Sequence, residues 1–316
     1  MLSEIQESES YVVVATPDLS QATLGRRLRV WQLVNLCSLD AVTVGLIWQL
    51  IFTLQFCGRF PSLVESSIIG TSIWLAYTAD RILDSWQLQC GLPHTSRHHF
   101  HHQFRRPICF LWMLALGFNV ILIIHFSTVN QIKWGMSCLL LVCFYLLNVQ
   151  KSNWNIRRIP KEVQAGCIFG FGVSLVSWSS ASDQPTFQLF FSTVVTGFLF
   201  SINCATVAYW ERQLDAAQTF FSWTARRSAT LYPIAIALVL EFALIMSLLF
   251  FEAIPRLIAG CLLGSTLCLA ITVLTNRKIH MHCPDALLTK PLASRELLAD
   301  ISLIFPPAVL VILSIS

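Results

Sequence analysis

Residues 107–126 read PICFLWMLALGFNVILIIHF, twenty positions without an Asp, Glu, Lys or Arg, reached directly from Arg105 and Arg106. As a helix the run is about 30 Å long at 1.5 Å per residue, the thickness of a bilayer's hydrocarbon core. A helix of that length in a soluble core would carry a charged stripe, and this one carries none. The stretch reads as a membrane span.

Comparable apolar blocks recur at 31–55, 62–79, 132–148, 164–181, 187–209, 228–251, 254–275 and 297–315. Hydrophobic residues make up 55% of the 316 and charged residues 12%, about half the charged share of a soluble domain. The fold class expected is therefore an all-α integral membrane protein of about nine transmembrane helices around a central cavity. The 132–148 block is short. The last block holds Asp300 and Pro306-Pro307 and is expected to be kinked or only partly embedded. Residues 1–25 are polar, with Glu4, Glu7, Glu9 and Asp18, and lack the positive-then-apolar order of a secretory signal. They form a tail ahead of one domain, 26–316, with no internal repeat.

Sorting the connections by parity separates the charges. All Lys and Arg except Arg59, Lys133 and Arg256, 18 of 21, fall on the side that holds the N-terminus. Positive residues in short loops stay cytoplasmic, so the N-terminus and the loops after even-numbered spans are expected there. Those loops are also the long ones, which in compact proteins are usually functional. The chain's 11 cysteines include no C-x-x-C pair and sit mostly inside apolar blocks, where a thiol packs as a small hydrophobe.

Chemistry concentrates where two spans end. Residues 74–84 read WLAYTADRILD, placing Asp80 and Asp84 four apart on one helical face. Such carboxylates repel each other. A divalent cation relieves the repulsion, and Mg²⁺ is typically held by one or two carboxylates plus substrate phosphates; pairing with nearby arginines is the alternative. The sixth span ends NCATVAYWERQLD (203–215), so Glu211 and Asp215 repeat the spacing, again with an arginine directly after the first acid. Both elements follow even-numbered spans and so emerge on one membrane face, able to hold a metal-diphosphate between them.

In this respect the chain resembles the UbiA-type intramembrane prenyltransferases, which have nine helices and acidic motifs after the second and sixth. Against the family's N-D-x-x-D-x-x-x-D, Ala76 and Tyr77 replace the leading Asn and Asp, while Asp80 and Asp84 remain. Glu211 and Asp215 match the second motif conservatively. The resemblance implies Mg²⁺ at Asp80, Asp84, Glu211 and Asp215, and a prenyl diphosphate as donor. Lys151, Arg157 and Arg158, after Tyr145 and the fourth span, look like the family's diphosphate-holding basic stretch. Arg forks suit phosphate oxygens, and Arg81 and Arg212 stand beside the acids.

Ionisable groups inside spans usually face a cavity or a partner, which singles out Asp40, with Asn35 near it, and Glu241. Asp40, Asn35, Asn203, Tyr77 and Tyr145 are the candidates for the acceptor or cavity wall. His98, His99, His101 and His102 read as a solvated loop rather than a zinc site. Among the 22 Phe and 10 Trp, including Trp74, Trp86, Trp178 and Trp210, some are expected to line the cavity, where aromatic faces stabilise cationic character.

The activity expected is Mg²⁺-dependent transfer of a prenyl group to a lipophilic, aromatic acceptor within a bacterial inner membrane, with the active face cytoplasmic and no nucleic-acid partner. A terpene cyclase of the same superfamily and a non-catalytic prenyl-lipid binder or transporter remain alternatives. In a cysteine-free background, Phe60→Cys is expected to react in intact cells with a membrane-impermeant maleimide and Thr95→Cys is not; the reverse pattern would refute the orientation.

Overall fold

The computed structural model describes residues 34–86, 96–150, 159–180, 186–217, 231–282 and 293–315. The tail 1–25 and the basic residues Lys151, Arg157 and Arg158 lie outside them. All regular structure among the described residues is helical. In chain order the helices are α1 (Leu39–Cys57), α2 (Leu63–Trp86), α3 (Ser96–Gln103), α4 (Arg105–Phe126) and α5 (Val129–Gln150). They continue as α6 (Lys161–Ser180), α7 (Thr186–Ala217), α8 (Tyr232–Phe250), α9 (Arg256–His282) and α10 (Ala293–Ile315).

Eight of them, α1 and α4 to α10, are long and apolar enough to cross a membrane, the makeup of an integral membrane protein. The sequence led us to expect nine. The remaining block folds as α2, whose 24 residues are long enough, but Glu65, Asp80, Arg81 and Asp84 dilute its apolar character.

The first span also starts later than its composition suggests. The chain turns at Cys37–Ser38, with Ser38 in the left-handed region at φ 57°. That conformation is strained for a residue with a Cβ, and hydrogen bonds hold it: Trp74 Nε1 donates to the Cys37 carbonyl at 3.0 Å, and the Ser38 amide to the Asn35 carbonyl at 3.2 Å. Asp40 consequently lies in the first turn of α1 and not at mid-span. The final helix runs continuously through Pro306 and Pro307. Gly264 on α9 makes room for it, since a Cβ there would come within 2.7 Å of Pro306 Cβ.

Little hydrophobic force draws helices together in lipid, so close approach depends on small residues. At the α6–α7 seam a Cβ on Gly166 would lie 2.2 Å from the Ser201 amide nitrogen, and one on Gly170 would lie 2.7 Å from Gly197 Cα. Trp48, Ile51 and Phe52 of α1 pack with Leu199 of α7, Leu262 of α9 and Leu303 of α10 in the main core. By contrast α4 and α5 bury almost none of their span, as helices facing lipid do. A cavity of about 1020 Å³ lies between α1, α2, α4, α5, α6, α7 and α10; none of its described lining comes from α8 or α9.

Gly166→Ala is expected to force the seam apart and cost about 1–3 kcal/mol. Gly117→Ala, whose Cβ would meet nothing within 4 Å, should be neutral or stabilising through helix propensity, by up to about 1 kcal/mol. Thermal unfolding of the two purified variants measures the difference.

Candidate active site

The cavity runs along α2 between two polar ends. At one end Asp80, Arg81 and Asp84 project from the last two turns of α2. Tyr145 of α5 donates its hydroxyl to Asp80 Oδ1 at 3.3 Å, and Arg81, Asp84 and Lys161 lie within electrostatic reach of that carboxylate. Glu211, buried on α7, lines the same cavity. The helical spacing thus brings one acid of the second pair onto the cavity shared with the first. Asp215 lies on the same helix one turn on, and its side chain is outside the described set.

At the other end Glu65 accepts both Arg59 N–H groups at 2.8 and 2.7 Å, the Ser62 amide at 2.8 Å and Gln131 Nε2 at 3.2 Å. This cluster ties the α1–α2 connection to the start of α5. Between the ends the wall is apolar and aromatic. Tyr77 meets Phe169 edge to face at 5.9 Å, and Phe169 meets Phe200 at 4.8 Å, all three lining the cavity. Trp48 supports Phe200 from behind at 5.6 Å. Trp112 Nε1 donates to the Leu75 carbonyl at 2.9 Å and Asn119 Nδ2 to Ser72 at 2.9 Å, fixing α4 against α2.

Several residues singled out in the sequence line this cavity: Asp40, Tyr77, Asp80, Arg81 and Asp84 from α1 and α2, then Tyr145, Asn203 and Glu211. Asn35 stands behind the wall and donates to Asp40 Oδ2 at 2.7 Å, while Asp40 Oδ1 accepts from the Ala41 amide at 2.9 Å. Arg212 is turned back on its own helix, donating to the Tyr209 carbonyl at 2.8 Å with its guanidinium 4.0 Å above the Tyr209 ring. Glu241 is buried on α8, away from the cavity lining. The histidine run is helical in α3, and His101 is buried, its ring 5.6 Å from Phe100.

Other wall residues were not singled out by spacing. Lys161 and Glu162 open α6, and Glu296 and Asp300 come from α10. Asp300 was visible as an acid inside an apolar block, the signal that intramembrane ionisable groups carry. Glu162 stood among loop charges and gave none. Phe169 and Phe200 were hidden among ordinary lipid-facing phenylalanines. The four tryptophans named above do other work: Trp178 donates to Thr193 Oγ1 at 3.1 Å, Trp210 is buried in the core, Trp86 is exposed, and Trp74 holds the Cys37 turn.

Among the described residues no three His, Cys, Asp or Glu side chains converge tightly enough to hold a metal ion unaided. The candidate donors are nonetheless carboxylate oxygens, those of Asp80 and Asp84 on α2 and Glu211 on α7, all lining one cavity. That set suits Mg²⁺, which relies on one or two carboxylates and completes its sphere with substrate oxygens and water. No family model, no curated protein and no solved structure matches the chain.

Asn35→Ala removes the buried donor to Asp40 and is expected to cost about 1–3 kcal/mol. Adding Asp40→Ala should recover a large part of that loss, because no acceptor is then left unpaired. A double-mutant cycle by thermal unfolding reads the coupling.

Proposed function

We propose that this chain is an intramembrane prenyltransferase of the UbiA type, acting on an isoprenoid diphosphate at the Asp80–Asp84–Glu211 end of the cavity. The observation that carries the reading is that acids from α2 and α7 line one cavity whose wall is partly aromatic. On this reading α2 is the ninth span, its charges gathered near its ends, and the N-terminus and acidic end face the cytoplasm of a bacterial inner membrane.

Asp80, Asp84 and Glu211, with Asp215 one turn on, would hold Mg²⁺, whose contribution when bound is to neutralise the diphosphate charge. Arg81 and Lys161 add positive charge on the same wall, and Lys151, Arg157 and Arg158 are the further candidates. The Tyr145 hydroxyl orients Asp80. As the allylic C–O bond breaks, its electron pair leaves with the diphosphate and a carbocation remains on the chain. The ring faces of Tyr77, Phe169 and Phe200 stabilise that cation, and the apolar wall keeps water from quenching it. A lipophilic acceptor then attacks the cation and loses a proton.

Incubation with geranylgeranyl diphosphate, Mg²⁺ and membrane-lipid extract as the acceptor source is expected to release pyrophosphate. Asp80→Asn and Asp84→Asn should each lower kcat/KM by about 10²–10³, the loss typical of a group that stabilises transition-state charge. A cyclic hydrocarbon formed without acceptor would replace the transferase reading by a cyclase. Absence of pyrophosphate across donors from ten to forty carbons would leave a non-catalytic prenyl-lipid binder.

A further inference from the structure

Beside the groups assigned to the diphosphate, α6 and α7 bring to the cavity two polar residues, Glu162 and Asn203, that diphosphate binding leaves without a task. Gly166 meets Ser201 and Gly170 meets Gly197, so α6 and α7 run antiparallel with their numbering in register. Glu162, one turn before Gly166, is therefore level with Cys204 and Ala205. Cys204 lies within electrostatic reach of Glu162 and Asp300, and Asn203 Nδ2 donates to Asp300 Oδ1 at 3.1 Å. Glu162 and Asn203 both line the cavity.

Glu162 is only 5% exposed and Asn203 only 7%. Among the described residues neither carboxylate oxygen of Glu162 has a hydrogen-bond partner, and neither does Asn203 Oδ1. Buried polar groups in native proteins are ordinarily satisfied, and a carboxylate against apolar walls is costly without donors. Asn203 Nδ2 donates one N–H to Asp300, and the groups left unsatisfied on these two cavity-lining residues are acceptor oxygens. A ligand that completes them must bring N–H or O–H groups and no negative charge.

We propose that Glu162 and Asn203 form the seat for the polar end of a second, lipophilic ligand, whose head is a hydroxyl or a protonated amine on an apolar body. Its role as the acceptor seat rests on the prenyltransferase reading; the binding does not. An acceptor held here presents hydrogen-bond donors, and one bearing a carboxylate is refused.

The full chain in nanodiscs of zwitterionic lipid, titrated with octylamine, octanol and octanoate and followed by thermal unfolding, tests the seat with one tail and three heads. Octylamine and octanol should raise Tm and octanoate should not; tighter binding of octylamine than of octanol identifies the head as an amine, and the reverse as a hydroxyl. Glu162→Gln should weaken octylamine by about tenfold or more, as expected for a hydrogen bond to a charged group, and Asn203→Leu should weaken both ligands. Octanoate binding as well as octylamine and octanol overturns the seat even if neither variant folds, and so does a head-group order unchanged in Glu162→Gln. Geranylgeranyl S-thiolodiphosphate with Mg²⁺ forms a separate arm, unaffected by Glu162→Gln and weakened by Asp84→Asn. Failure of that arm alone sinks the prenyl diphosphate reading and leaves the seat standing.

Discussion

At Gly166, Gly170 and Gly197 the backbones of α6 and α7 touch directly, with no room for a Cβ at the closest points. Lipid tails are as apolar as Leu, so burying hydrocarbon does not hold two such helices together; dense contact does. The seam fixes the register between the helices. Register in turn decides that Lys161 and Glu162 at the mouth of α6 share a wall with Asn203, Cys204 and Glu211 of α7. A slip of one turn would carry every one of these side chains about 5.4 Å along the axis, off its present partners.

From the same seam follows a division of labour among the helices. The outer pair α4 and α5 leave most of their surface to lipid and contribute to the cavity one face each. Their polar contacts point inward: Trp112 and Asn119 reach α2, and Tyr145 reaches Asp80. Meanwhile α8 and α9 build core without lining the cavity, α9 packing closely on α10. The polar wall is thus assembled from helices distant in sequence, each held by a different kind of contact.

Periodicity and composition carried the helices, because a run such as 107–126 has no other stable form in a bilayer. The charge of α2 was visible too, but the same acids that mark a site also lower its apolar character, so length and composition alone stop at eight spans. The turn at Cys37–Ser38 was not legible: no Gly or Pro marks it, and besides its own Ser38–Asn35 backbone bond it is held by Trp74 from another helix. Pairs of acids four apart announced themselves through helical spacing. Glu162, Phe169 and Phe200 did not, since membership of a cavity wall depends on which face a helix turns inward, and α6 and α7 are apolar nearly all round. Arg212 illustrates the converse: sequence put it next to an acid, and its own Tyr209 ring holds it elsewhere.

The Arg59–Glu65–Gln131 cluster has a consequence for size. It stands on α2 fifteen residues from Asp80, which is about 22 Å of helix at 1.5 Å per residue. Arg59 and Glu65 are joined by two hydrogen bonds, and the Ser62 amide and Gln131 lock the carboxylate from two further directions. A guest anchored by its head near Asp80 therefore has a fixed run of apolar wall before it meets this stopper. On the prenyl diphosphate reading, a shorter tail would leave space unfilled and a longer one would reach this ion pair. On that reading the cavity would act as a ruler, with its zero mark at the acids and the salt bridge at its far end.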